Sequence, residues 1–206
     1  MRDLGIEYPR QFFVYNHIDH GMASLAFAKV IRDILHPYKI VDFGCGGAET
    51  LLWFKKNGFK VKGIDGSPAV LDLINLLGGH IGLPGDIIIT DLEKPIDLGE
   101  KFDLAISIET LEHLSVGAAD IIVDSICRNA NAAVITACSP QNLTNPHHLN
   151  EQLFSYWIAK FAARGFLLGP DVTNTIKARM DAYRGLNLFT VPMWFINENL
   201  GFFYRK

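Results

Sequence analysis

The sequence predicts an α/β fold built on a parallel sheet, and three observations carry that expectation. Short apolar, β-branched runs alternate with helical stretches along residues 38–138, several runs end in Gly or Asp, and the runs themselves do not alternate polar with apolar residues. A strand covered by helices on both faces has no solvent side, so a continuous apolar run is what a buried parallel sheet demands.

Ahead of the first run, Ala23, Ala26, Phe27, Val30, Ile31, Ile34 and Leu35 recur at helical spacing and Pro37 follows the last of them, which predicts a helix over 19–36. Strands are expected at 40–43, 60–64, 86–90, 102–107 and 132–137, with helices over 47–57, 68–77 and 117–129 between them. Gly58 stands where a helix end needs a left-handed residue. Past residue 137 comes a polar loop, SPQNLTNPHHLNEQ, and then Leu153, Trp157 and Phe161, four apart, predict a helix over 152–163. The last strands are expected at 166–168 and 193–204, while 170–190 is expected to form a second wall of a pocket, with no structure assigned.

The 206 residues fit one domain, with 1–36 as a helical cap, 38–138 as the core and 139–206 as the side that meets an acceptor. With 19 Lys plus Arg against 22 Asp plus Glu, the net charge of −3 gives no general attraction to nucleic acid or anionic lipid. Cys45, Cys127 and Cys138 form no C-x-x-C pair, and the first twenty residues lack a secretory apolar stretch, so a reducing cytoplasmic setting is expected. No apolar run reaches the roughly 20 residues of a membrane helix, and no membrane partner is expected.

The strongest local signal is VDFGCGGAE, residues 41–49, at a strand-to-helix turn. Gly44, Gly46 and Gly47 permit close backbone approach, so the turn either receives a ligand or is Gly-rich for packing alone. Dinucleotides and S-adenosylmethionine both use such a loop. The G-x-G-x-x-G pattern fails here, because the sixth position is Glu49, a carboxylate where a pyrophosphate would sit. Asp42 and an acidic first helical turn suit a sulfonium and an amino group better. Asp65, at the end of the second strand, is placed to accept two hydrogen bonds from ribose hydroxyls or, alternatively, to cap the next helix with Ser67. Asp91 and Leu92 after the third strand could hold an adenine, and Asp91 could equally cap a turn.

FGCGGAE, GIDGS, ITDLEKP and FDLAISIETLEHL, in this order and spacing, resemble the successive motifs of class I S-adenosylmethionine-dependent methyltransferases. The resemblance implies a Rossmann-like, seven-stranded, mostly parallel sheet with helices on both faces and an antiparallel last strand. S-adenosyl-L-methionine is the implied cofactor, held by Asp42, Gly44, Cys45, Gly46, Asp65, Gly66, Asp91, Leu92 and His113. The family's third loop glycine is replaced by Ala48. PHHLNEQ, followed by Tyr156-Trp157 and Gly165-Phe166, is similar to a pattern in bacterial and viral members linked to polysaccharide or sugar modification.

Methyl transfer needs a base only when the acceptor must lose a proton. Glu109, Glu112 and His113 follow the fourth strand, and Asn145, His147, His148, Asn150 and Glu151 follow the fifth, where ligands of open α/β sheets bind. His148 is the first choice for a base, His147 the second, and Glu109 is expected to line the methyl site; alternatively one histidine pins the loop. No metal is expected, because adjacent residues of an extended loop, His147 and His148, point to opposite sides. The acceptor is expected to be a small molecule or glycan unit. Exocyclic amines of DNA are disfavoured because Ser107, Ile108, Glu109 and Thr110 stand where base-modifying DNA enzymes of this fold carry [DNS]-P-P-[FYW]; an RNA acceptor, which would ask for a basic, aromatic-bearing face, and a catalytically silent cofactor-binding module are the alternatives. Phe12, Phe13, Tyr15, Asn16, His17 and His20 are expected either to form a lid or to pack in a helix.

Overall fold

The computed structural model describes residues 10–140, 146–185 and 199–206. One seven-stranded sheet forms in the order β3-β2-β1-β4-β5-β7-β6. Its strands are β1 (Lys39–Phe43), β2 (Lys60–Asp65), β3 (Ile87–Ile89), β4 (Phe102–Ser107), β5 (Ala130–Thr136), β6 (Phe166–Leu168) and β7 (Leu200–Arg205). The first five run parallel to one another, and β7 is antiparallel to both β5 and β6. This is the Rossmann-like arrangement expected from the motifs.

Register sorts the side chains into two layers. Val41, Ala105, Ala133 and Phe203 lie in one row across β1, β4, β5 and β7, and belong to the core covered by α4 (Ala119–Asn129) and α5 (Phe154–Ala162). The adjoining row of Asp42, Ile106, Val134 and Phe202 faces the other way. There α1 (Arg10–Leu35), α2 (Glu49–Lys56), α3 (Val70–Gly78) and α6 (Pro170–Gly185) bury Phe27, Ile31, Leu51, Ile74, Ile176 and Met180. Among the described residues, no helix is long and apolar enough to cross a membrane.

Three elements differ from the sequence expectation. The first helix begins at Arg10, nine residues earlier than predicted, and Phe13 joins the core; the side chains of Phe12, Tyr15, Asn16, His17 and His20 lie outside the described residues. The unassigned stretch after residue 170 is largely helix α6, with Pro170 in its first turn, where a missing N–H costs nothing. The last strand starts at Leu200, and 193–198 lie outside the described residues.

Phe161 stacks on Phe203 with ring centroids 4.4 Å apart and planes 19° apart, and both are fully buried. Phe203→Ala is expected to cost about 3–5 kcal/mol of stability, read as a lower denaturant midpoint with an unchanged slope.

Candidate functional site

β1 and β4 are neighbours, yet the chain leaves them in opposite lateral directions, so the loops after their carboxyl ends part and open a crevice. The Ser107 hydroxyl donates to the Phe43 carbonyl (2.9 Å), closing the sheet just below it. The glycine loop then turns over the end of β2. The N–H groups of Gly44 and Cys45 both donate to the Ile64 carbonyl (2.8 and 3.0 Å), and Gly46 N–H donates to Asp65 Oδ2 (2.9 Å). Ala48 stands before α2 with φ 57°, and Glu49 opens the helix.

Two glycines explain why this turn can receive a ligand. Gly44 has φ +81°, and a Cβ there would lie 2.3 Å from the Thr110 side chain, so the loop is pressed directly against the segment after β4. A Cβ at Gly46 would meet nothing within 4 Å, which leaves the outer side of the loop open.

Three acids surround the loop. Burial pushes the Asp42 carboxyl well above its usual range, and the charges of Asp65 and Glu49 push it further. Burial also raises Asp65, against the pull of the Ser67, Gly46 and Gly66 amides. Asp65 is not the cap of α3: its oxygens accept from Gly46 and from Ser67 N–H (2.8 Å), and the helix starts later, after Ala69, with no side-chain cap. Each oxygen keeps a lone pair for a ligand. The loop is thus a desolvated, acid-lined cradle whose carboxyls resist ionisation unless a cation meets them.

The strain at Asp42 has a measurable sign. Its folded-state pKa lies above the unfolded value, so ionisation costs stability as pH rises from the carboxylate range toward that raised value. Asp42→Asn is therefore expected to raise Tm at neutral pH, by roughly 2–4 °C for each kcal/mol relieved. The gap between variant and wild type should close as pH falls toward 4, which thermal melts across pH would read.

Asp91 Oδ1 accepts from Glu93 N–H (2.8 Å), so it closes a turn after β3, and Leu92 is buried beside it. The turn role foreseen for Asp91 is the one its hydrogen bonds make; a ligand would meet its remaining lone pairs.

Across the crevice, Glu109 adopts φ 49°, a left-handed conformation that costs a non-Gly residue about 1–3 kcal/mol. Thr136 at the end of β5 holds it there, its hydroxyl accepting from Glu109 N–H (2.8 Å). Glu112 is fully buried, and neither of its carboxylate oxygens, nor Glu109 Oε1, makes a well-formed hydrogen bond among the described residues; the amides of Glu112 and Cys138 lie close to the Glu112 carboxyl. Burial raises both carboxyls, and the charge of Glu109 raises Glu112 further. Two carboxylates have nothing to donate to each other, so the pair needs a proton or another cation.

The loop of residues 147–150 is tied to the turn Leu111–His113. Leu149 and Asn150 N–H groups donate to the Glu112 carbonyl (2.8 and 2.9 Å), and His113 Nδ1 contacts the His147 carbonyl at 3.0 Å. Desolvation lowers His113 to about 4, so it is neutral and Nδ1 is the donor. His113 therefore performs the pinning that the sequence assigned to a loop histidine. His148 packs edge-on against it at 4.7 Å between centroids, and His148 Nδ1 meets Glu151 Oε1 at 2.6 Å. The His147 side chain is exposed and contributes its carbonyl. Asn145 lies outside the described residues.

Glu112, His113 and His148 each offer a ligand atom, all within 4.8 Å of one another, and Cys138, His148 and Glu151 do the same. The expectation of no metal weighed only the adjacent pair His147 and His148. The fold instead brings His148 to His113, 35 residues earlier in the chain. Thr110 and Thr136 were missed as site residues, and Glu151 was named in its loop without a role. Glu151 had a signal in its three-residue spacing from His148, whereas the two threonines join the site only through strand pairing.

Residues 40–131, a little under half of the chain, match the family model described as "Methyltransferase domain". A ubiquinone biosynthesis O-methyltransferase of Methylobacterium sp. is 30% identical over 130 residues, 63% of this chain and 48% of that protein. A ribosomal RNA small subunit methyltransferase C of Alcanivorax borkumensis is 31% identical over 91 residues, 44% of this chain and 28% of that protein. The matched stretches thus span less than half of either relative. Among solved structures, an S-adenosylmethionine-bound amino pentose methyltransferase from Micromonospora echinaspora aligns with a TM-score of 0.65 at 16% identity, covering 98% of this chain and 99% of that one.

Proposed function

We propose that this protein transfers a methyl group from S-adenosylmethionine to a hydroxyl of a small polar acceptor, a sugar or similar molecule. The carrying observation is the negative loop of Asp42, Glu49 and Asp65 with open space over Gly46, since a dinucleotide's pyrophosphate would be repelled there. The cofactor supplies an electrophilic methyl on a sulfonium. Toward it, Asp65 offers acceptor lone pairs for the ribose, Asp91 and Leu92 offer a polar and an apolar contact for the adenine, and Gly44, Cys45, Gly46 and Gly66 supply the close backbone. His113 fixes the loop that carries His148.

His148, backed by Glu151, assists loss of the acceptor's hydroxyl proton, and Glu109 lines the methyl site opposite Thr136. Two relatives support methyl transfer as the class of reaction, and the amino pentose enzyme supports a sugar-like acceptor. The chain works as one unit, with α1 as its cap, in the cytoplasm. The ribosomal relative favours RNA as a second acceptor class, against which the net charge of −3 argues.

The test is incorporation of labelled methyl from S-adenosylmethionine into sugars, sugar nucleotides, phenols and ribosomal RNA in parallel. Salt-insensitive labelling of a hydroxylated small molecule is expected; labelling of RNA alone, falling steeply with salt, would replace the small-molecule reading. Affinity for the cofactor should also fall as pH drops through the raised carboxyl range, because protonated Asp42 and Asp65 no longer attract the sulfonium. S-adenosylhomocysteine, which lacks that charge, should weaken less, and equal weakening would contradict the acid cradle.

A further inference from the structure

The geometry points to a divalent-cation site formed by Glu112, His113 and His148, placed to hold an oxygen of the acceptor. Three observations meet there. The ligand atoms of these residues, drawn from the turn after β4 and the loop after β5, lie within 4.8 Å of one another. Glu112 is wholly buried, and its carboxylate oxygens make no well-formed hydrogen bond among the described residues, with only the amides of Glu112 and Cys138 close by. An ionised carboxylate in that position costs several kcal/mol unless a cation or proton meets it.

The third observation is the orientation of the imidazoles. His113 Nδ1 faces the His147 carbonyl, which can only accept, so the neutral ring carries its lone pair on Nε2. His148 Nδ1 faces Glu151 Oε1. A ring nitrogen held by a carbonyl or carboxylate while the other nitrogen ligates is the usual outer-shell arrangement of metal-bound histidine. Glu109 lies beside Glu112 with its own carboxyl buried, so a second oxygen donor stands at the same place.

The ligand set selects the ion and the position. Two imidazoles and a carboxylate favour first-row ions such as Mn²⁺ or Co²⁺ over Mg²⁺, which prefers an all-oxygen octahedron. The overlapping group of Cys138, His148 and Glu151 is the weaker alternative. Its thiol is pushed up to about 12, first by burial, and Glu151 is already engaged with His148. A cation at Glu112 leaves coordination positions for the acceptor, and a hydroxyl bound there gives its proton to solvent more readily. His148 then assists through the cation it ligates. Cation binding itself rests on the geometry, whereas this use of it rests on the methyl-transfer reading.

The test titrates Mn²⁺, and separately Co²⁺, into the full chain after chelator treatment and desalting, by calorimetry and by the cobalt absorption spectrum. Saturable binding of one ion per chain is expected. Glu112→Gln, which removes a buried charge at constant shape, and His148→Asn should each weaken it by about tenfold or more, and Cys138→Ser should leave it unchanged. No saturable binding in folded wild type overturns the site, as does binding that neither Glu112→Gln nor His148→Asn moves, or binding that Cys138→Ser weakens equally. S-adenosylhomocysteine is titrated into the same samples. Its binding without cation binding removes the cation alone, and cation binding without it removes the methyl-transfer reading alone.

Discussion

Asp65→Ala is expected to weaken S-adenosylmethionine binding about 100-fold or more, because two charge-assisted hydrogen bonds to ribose hydroxyls disappear at roughly 1.5–3 kcal/mol each. The loss is compounded in the loop itself. Asp65 accepts from Gly46 and Ser67 N–H groups, so the variant frees two backbone donors and loosens the turn that faces the ligand. The fold should survive, since Asp65 ends its strand and its own burial opposes ionisation. Calorimetry alongside circular dichroism checks both halves, and a folded variant that binds the cofactor normally would contradict the assignment.

His148→Ala is expected to lower kcat by about 10²–10⁴-fold, the usual contribution of assisted proton transfer, with cofactor affinity within a few-fold of wild type. The side chain is held by Glu151 at Nδ1 and by the ring of His113, and neither contact involves Asp65 or the glycine loop. His147→Ala should cost far less, since what ties His147 to the turn is its carbonyl, which the substitution keeps. Steady-state kinetics on the acceptor found by the labelling screen separates the two. An unchanged kcat in His148→Ala would remove this residue from the chemistry.

What the sequence disclosed follows from how local each signal is. The five parallel strands were legible because burial on two faces writes itself as an uninterrupted apolar run, and 102–107 coincides with Phe102–Ser107. The glycine loop and Asp65 were legible because the loop and its acid lie within one strand-helix-strand unit. Helix α6 was harder: Ile176 and Met180 are buried four apart, but charged residues dilute the pattern between them. The start of α1 was obscured in the same way by mixed aromatic and polar residues.

The other half of the site depends on topology. Glu109 is a residue no propensity places at positive φ, and it is held there by Thr136 from the neighbouring strand. His113 and His148 meet because β4 and β5 pair in parallel, which brings the loops after both strands to one end of the sheet. Their juxtaposition was foreseen by neither spacing nor residue type.

The central claim is that the loop of residues 44–48 binds S-adenosylmethionine, and its most direct test is calorimetric titration of the folded chain, freed of co-purified ligand, with S-adenosylmethionine and with NAD. Saturable micromolar binding of S-adenosylmethionine, one per chain, and none of NAD is the predicted result. Binding of NAD, or of neither, would contradict it.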